Sequence, residues 1–575
     1  MSDLLSMLPP VPKGTSVAEC VELFSGEGMP FAVAPVDIDG VNYNQFIHQP
    51  AHLRDMLLGM MQDHLDLDFI VYGDERITFG EAFGKIAQLT QVLCNDYGIS
   101  KGDKIALSMR NYPEWVIAYI AIISVGGVAC AMNAWWTAEE HEQAFKITGA
   151  KLAICDSSRA NRIETFNQDM TIKLIVVRDD NPARKGAARY EDVIADKDPS
   201  VIVPVEITQD DDAHIIFTSG SSGFPKAALA THRAVVSVLF MWLNVAISTK
   251  STRPASAADA EQPASAVTIP FFHVTGLVTI MLVSALIGRK LVIMHKWDVE
   301  DAFKLVETER VTNLSGVPSM SYEMSISPLR HKYDLTSLTD IGGGGAARPP
   351  EHLKLLVDAF ENFSPGLGYG MTETSSVGTL ISGDDYTKRP NSCGKATPPI
   401  VDIKIVAGDG SEMVDGERGE ICIKSTANIR CYYGNPEATA EMIKDGWLHT
   451  GDVGYLDDEG YLFIVDRLKD IIIRGGENIS TLEVEAALAK VDGVEDCMVF
   501  ALPDEMLGEI IGAVITVENS IDIEQIQQEL GRHIANFKVP QVIWTRTVPL
   551  PLIASGKIDR KNIKQEYQAL YAQSK

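Results

Sequence analysis

From Trp115 to Trp136 the chain carries no charged residue, a run long enough to cross a bilayer. Gly126-Gly127 divides it, so the pattern predicts a helix over 113–125 and a strand over 128–133. The flanks Glu114, Glu139 and Glu140 are acidic, whereas lysine and arginine border membrane spans on one side. A helix and a strand that are apolar all round belong inside a parallel sheet covered by helices. The neighbouring sequence repeats the theme: a helix over 79–97, the turn Ser100-Lys101-Gly102-Asp103, a strand over 104–109, and strands over 151–155 and 172–177. The expected fold class is therefore α/β, a large N-terminal domain with mostly parallel sheets covered by helices. Residues 1 to about 50, rich in proline, are expected to form an irregular surface arm, and the polar stretch 250–265 a surface loop followed by a strand over 266–269. The apolar run 277–287 is too short to span a membrane, and no membrane span is expected.

A chain of 575 residues exceeds one ordinary domain. After Arg467 the composition shifts to a compact α+β pattern: a helix over 482–490, strands over 494–502 and 510–517, a helix over 524–537 and a strand over 541–545. The division falls at 1–466 and 467–575, the second a small mobile α+β domain, with a hinge near Lys469. A net charge of -28 argues against nucleic acid, so any anionic cofactor must be held by local lysines and arginines. Eight cysteines without CxxC spacing suggest neither zinc nor disulfides. Together with an N-terminus lacking a basic, apolar leader and a C-terminal Gln573-Ser574-Lys575 that is no peroxisomal signal, they point to a cytoplasmic protein. The oligomeric state is left open, a homo-oligomer included.

The loop Thr218-Ser219-Gly220-Ser221-Ser222-Gly223-Phe224-Pro225-Lys226 combines hydroxyls, bare backbone amides and one cation. Such a loop suits a polyphosphate, because amides reach phosphate oxygens where no side chain intervenes. A strand precedes it, and Ala227 onward reads as helix. It is no Walker A loop, since Pro225 and Ala227 stand where that motif needs glycine and Ser or Thr. Taken alone, a Ser/Gly loop is read more readily as a flexible turn.

Further stretches add weight. Pro270-Phe271-Phe272-His273-Val274 stands at a strand's carboxyl end, the ligand-binding edge of open α/β sheets. The run Gly342-Gly343-Gly344-Gly345 holds more glycine than a turn needs, which suggests a flat ligand against the backbone. Gly368-Tyr369-Gly370-Met371-Thr372-Glu373 offers a ring for stacking and a carboxylate for a magnesium ion, or else a helix cap at Thr372 with an acidic first turn. Asp452 and Arg467, charges expected beside turns at strand ends, suit a vicinal diol, or form an ordinary solvated pair. Lys557 follows a glycine in a loop beyond the last strand.

With these motifs in this order over roughly residues 50–570, the chain resembles the adenylate-forming superfamily of acyl-CoA synthetases, carrier-loading adenylation domains and beetle luciferases. The resemblance implies that Thr218, Ser219, Gly220, Ser221, Ser222, Gly223 and Lys226 bind the phosphates of ATP. It implies that Gly343, Gly344, Gly345 and Ala346 contact adenine, and that Tyr369, Gly370, Met371 and Thr372 supply the stacking ring and a phosphate contact. Glu373 would ligate Mg2+, while Asp452 and Arg467 would hold ribose. Lys557 would catalyse adenylation, with His273 and Thr372 as further catalytic groups. Lys469, Gly475, Gly476 and Glu477 would face coenzyme A, and His273, Val274, Gly316, Val317 and Gly368 the acyl pocket. The implied activity joins a small-molecule carboxylic acid to CoA through an acyl-adenylate. A freestanding enzyme that loads a carrier protein is the alternative. Ala227 where glycine is common, and Ser480-Thr481 where some branches have an aromatic-proline pair, depart from the family pattern.

Overall fold

A computed structural model describes residues 6–167, 170–181, 184–218, 225–252, 262–361, 363–474, 477–517, 522–553 and 556–574. Two large sheets dominate the N-terminal domain. In the eight-stranded one, Ala187–Arg189, Lys173–Val177, Leu152–Asp156, Lys104–Ser108, Val128–Ala131 and Asp212–Thr218 lie parallel, and antiparallel Lys226–Thr231 and Cys431–Tyr432 finish one edge. In the nine-stranded one, Asp340–Gly344 runs parallel between Asn313–Gly316 and Ser364–Tyr369. The helix Pro113–Ser124 is buried at every position but Glu114 and packs against strands of both sheets, which is why the run from Trp115 needs no charge.

A third, five-stranded antiparallel sheet carries Gly419–Ser425, Trp447–Leu456 and Leu462–Arg467. The smaller C-terminal domain is built on the sheet of Ile472–Arg474, Glu477–Ile479, Val494–Asp504, Gly508–Val517 and Val542–Arg546, with two apolar clusters of its own. Its first helix, Thr481–Leu488, is tied back to the strand Leu462–Arg467 of the third sheet. The buried Asp466 carboxylate accepts the Thr481 hydroxyl at 3.0 Å, and the Ser480 hydroxyl donates to the Val465 carbonyl at 2.7 Å.

Several expectations are corrected. Residues Lys226–Thr231 form a strand, and helix begins only at His232. Alanine favours helix locally, but Ala227, Ala228 and Ala230 are buried and the strand is paired on both sides, so context overrides propensity. Residues 6–50 form an ordered element rather than an irregular arm. They contain the helix Val17–Phe24 and the hairpin Val33–Ile38/Val41–Phe46, and Phe31 and Phe46 pack on Phe240 at 4.9 and 5.2 Å. The stretch 250–265 is regular at both ends: helix runs to Thr252 and a strand occupies Ala264–Val267, while 253–261 lies outside the described residues. A final helix, Arg560–Ser574, buries Ile563, Tyr567 and Tyr571 and was not foreseen. The helix His232–Thr252 is, among the described residues, the one long and apolar enough to cross a membrane; 61% of its apolar window is buried inside the protein.

Candidate active site

The carboxyl ends of the two large sheets and the face of the third bring the candidate residues together. Thr218 and Lys226 stand opposite one another as a strand pair at the mouth of a hairpin. Ser219, Gly220, Ser221, Ser222 and Gly223 of that loop lie outside the described residues. The Lys226 ammonium sits 4.7 Å from the centre of the Tyr432 ring. The Tyr432 hydroxyl donates to Glu373 Oε1 at 2.6 Å. Burial, then the Glu373 charge, pushes this phenol's pKa up, so it remains a donor. Tyr432 was missed in the sequence. Its signal is slight, an aromatic pair Tyr432-Tyr433 after Arg430 on a strand of two residues.

Glu373 is buried, and Thr372 opens the one-turn 3-10 helix Thr372–Thr374 that displays it. The cap of that turn is Met371, not Thr372. Tyr369 ends the strand Ser364–Tyr369, and its hydroxyl donates to Asp452 Oδ2 at 2.8 Å. Asp452 Oδ1 also meets Arg467 Nε at 3.2 Å. Asp452 lies within the strand Trp447–Leu456, paired with Arg467, rather than beside a turn. Burial raises its pKa above the usual carboxylate value, opposed by Arg467, Tyr369 and Lys469. The pair is no ordinary solvated one, because the Asp452 side chain is 11% exposed and that of Arg467 61%.

The glycine run is mostly strand: Gly342, Gly343 and Gly344 lie in Asp340–Gly344, and only Gly345 takes a left-handed φ of 74°. A Cβ on Gly343 would stand 2.4 Å from an Arg348 nitrogen, and one on Gly345 would stand 3.0 Å from Lys557 Nζ. The excess of glycine thus reflects the approach of a buried arginine and of Lys557 itself. The Lys557 loop is closed by Ile553 N–H to the Lys557 carbonyl at 2.8 Å, and its Gly556 lies against Val317 and Met320. Val317 precedes the helix Pro318–Ile326, and Gly316 ends the strand before it.

Burial, then the Arg467 charge, lowers the Lys557 pKa. His273 Nε2 is enclosed without a partner among the described residues, and burial, helped by Lys557, pulls its pKa down to about 3, so the ring is neutral. Val274 is buried beside it, and Gly368 lies opposite Gly344 in the paired strands. Lys469 is exposed in the turn after Arg467, where Asp470 N–H bonds the Arg467 carbonyl at 2.9 Å. Glu477 is paired with Arg474 at the start of the small domain, and among the described residues no contact joins it to the other groups; Gly475 and Gly476 lie outside the described residues.

The sequence matches a family described as AMP-binding enzyme over residues 61–433 and one described as AMP-binding enzyme C-terminal domain over 483–557. It is 32% identical over 501 residues to the long-chain-fatty-acid–CoA ligase FadD13 of Mycobacterium tuberculosis, covering 86% of this chain and 94% of that protein. It is 30% identical over 483 residues to 4-coumarate–CoA ligase 2 of Solanum tuberosum, covering 83% and 86%. A solved Mycobacterium tuberculosis fatty acyl CoA synthetase superposes with a TM-score of 0.69 at 29% identity, over 90% of this chain and 99% of that one.

Proposed function

The chain belongs to the AMP-binding enzyme family, and from that premise we propose that it is an ATP-dependent acyl-CoA synthetase. A carboxylate oxygen attacks the α-phosphorus of ATP, the bond to the β-phosphate oxygen breaks and pyrophosphate leaves. The sulfur of CoA, its proton lost to solvent, then attacks the acyl carbon and AMP leaves.

The observation that carries this reading is the position of Lys557. A lysine from the far end of the chain lies against Gly345, close enough to Arg467 for the two charges to repel and to His273 to help keep that ring neutral. There its ammonium can bridge the acid's carboxylate and the α-phosphate, neutralising charge as it develops in a water-poor site. The neutral His273, its Nε2 without a partner among the described residues, is close enough to feel the Lys557 charge and can orient the carboxylate without adding charge. Tyr369 and Asp452, already bonded, form a pre-set wall for adenine and ribose, and Lys226 with Thr372 serves the β- and γ-phosphates.

Glu373 fits a magnesium ion: one oxygen is fixed by Tyr432, and the other accepts no bond among the described residues. Bound there, the metal would offset charge on the phosphate oxygens. Neither step uses a covalent enzyme nucleophile, so positioning supplies most of the rate. The parts 1–466 and 467–575 would alternate about Lys469 between the two steps, withdrawing Lys557 and bringing Glu477 to the thiol.

The relatives named above act on a long-chain fatty acid and on 4-coumarate. Small residues such as Gly316 and Gly368 beside Val274 and Val317 suit an elongated or ring-bearing apolar acid. A panel of acids in an ATP–pyrophosphate exchange assay, followed by CoA or a phosphopantetheinyl carrier protein as acceptor, tests the whole reading. Exchange with apolar acids and transfer to CoA are expected. Preference for acetate would contradict the roomy pocket, and transfer to a carrier alone would contradict CoA.

A further inference from the structure

Glu420, Cys422 and His449 converge on one point of the third sheet. Cys422, in the strand Gly419–Ser425, stands opposite His449, in the strand Trp447–Leu456. Glu420 lies two residues before Cys422 and so shares its face. The pairing is irregular between these two positions, and a bulge of that kind re-aims side chains. One donor atom from each of the three residues lies within 4.8 Å of one from each of the others.

The distances are those of a ligand set. Cys422 Sγ is 3.5 Å from His449 Nδ1, the edge of a tetrahedron whose bonds are about 2.3 Å to sulfur and about 2.0 Å to nitrogen. Glu420 Oε2 is 2.7 Å from the same nitrogen, a hydrogen bond that must open to about 3.4 Å when an ion takes the place of the proton. Nδ1 carries at most one proton, so it cannot serve carboxylate and sulfur equally. An ion at the shared point serves all three. The other oxygen of Glu420 accepts the Gly451 N–H at 3.0 Å, which fixes the carboxylate from behind as outer partners fix metal ligands.

The surroundings narrow the ion. Cys422 is buried, while the Glu420 and His449 side chains are 20% and 17% exposed, which opens a way in and leaves a fourth position to water. Lys404, paired with Cys422 on its other side, rests on the Trp447 ring at 4.4 Å, and its charge and that of Lys444 act on the thiol. A carboxylate and a thiolate together cancel a divalent charge, so the bound site is neutral toward those lysines. Thiolate with imidazole selects zinc-class ions over magnesium and calcium.

We propose that Glu420, Cys422 and His449 form a three-ligand site for one zinc-class divalent ion. On uptake the thiol proton leaves to solvent, and the imidazole keeps its own proton on Nε2 with Nδ1 bound to the ion. The site is separate from the magnesium assigned to Glu373 and goes beyond the acyl-CoA synthetase reading. The lack of CxxC spacing in the sequence does not bear on it, because its ligands come from two paired strands rather than from one turn.

The test titrates the chelator-treated full-length protein with Co2+, without acid, ATP or CoA, so its outcome is independent of the proposed reaction. One Co2+ per chain is expected, with the near-ultraviolet charge-transfer absorption of a cobalt–thiolate bond, and Zn2+ should displace it. C422S should abolish that absorption, whereas C94S, at a half-buried cysteine elsewhere, should keep it. H449Q and E420Q should each weaken Co2+ binding about 10-fold to 100-fold or more, since even outer partners of a metal are worth that much. Zn2+ should raise the unfolding temperature of the wild type and leave that of C422S and H449Q where it was. Absence of the absorption in the wild type, its survival in C422S, or wild-type Co2+ affinity in both H449Q and E420Q would overturn the site. Should C422S fail to fold, H449Q and E420Q, whose side chains reach the surface, decide the matter by the same titration.

Discussion

Tyr432 donates its hydroxyl proton to Glu373 Oε1 at 2.6 Å, and the same ring carries the Lys226 ammonium 4.7 Å from its centre. One side chain from the edge strand Cys431–Tyr432 thereby separates Lys226, the proposed cation for the phosphates, from Glu373, the proposed metal ligand. Y432F keeps the ring under Lys226 and removes only the bond to Glu373. Hydrogen bonds to charged groups are worth about 1.5–3 kcal/mol. The magnesium concentration for half-maximal pyrophosphate exchange is therefore expected to rise about 10-fold or more. An unchanged magnesium dependence would show that the bond does not hold the carboxylate for metal.

In the proposed reaction Lys557 acts as a cation, and its pKa lies below the ordinary 10.5 because it is buried and close to the Arg467 charge. A lysine is charged below its pKa and loses the charge as pH rises through it. The kcat/KM for pyrophosphate exchange, which reports the free enzyme, should thus fall on the alkaline side below pH 10.5. R467Q removes the like charge and should move that limb to higher pH, while weakening ATP binding through the loss of the Asp452 partner. A limb that stays in place would mean that another group titrates.

Gly345 combines a φ of 74° with the Lys557 ammonium only 3.0 Å from where a Cβ would stand. G345A meets backbone strain of about 1 kcal/mol and must also shift the end of the Lys557 side chain by a few tenths of an ångström. Exchange is expected to drop about 10-fold or more, while thiolysis of a supplied acyl-adenylate is largely retained. Full exchange activity in G345A would place the working position of Lys557 elsewhere.

What could be read beforehand was whatever local chemistry dictates. The charge-free run around Gly126-Gly127 required burial between layers, and the helix Pro113–Ser124 occupies that position. The α/β class and the smaller C-terminal domain followed from the same kind of patterning. Misreadings arose where tertiary pairing outweighs propensity. Ala227 to Ala230 are helix formers placed between two strands, and the buried end of Asp452 depends on a strand pairing that no local signal announces. Tyr432 was invisible for a related reason: its partner Glu373 is distant in the chain, and only the fold brings the phenol to the carboxylate.

The most direct measurement takes K557A through the two half-reactions separately. Pyrophosphate exchange with acid and ATP should fall about 100-fold or more, the scale for losing one charge contact to a developing anion in a preorganised site. Transfer from a supplied acyl-adenylate to CoA should continue near the wild-type rate. Equal loss in both halves would contradict the account, because Lys557 would then serve the whole enzyme rather than the step for which it is positioned over Gly345.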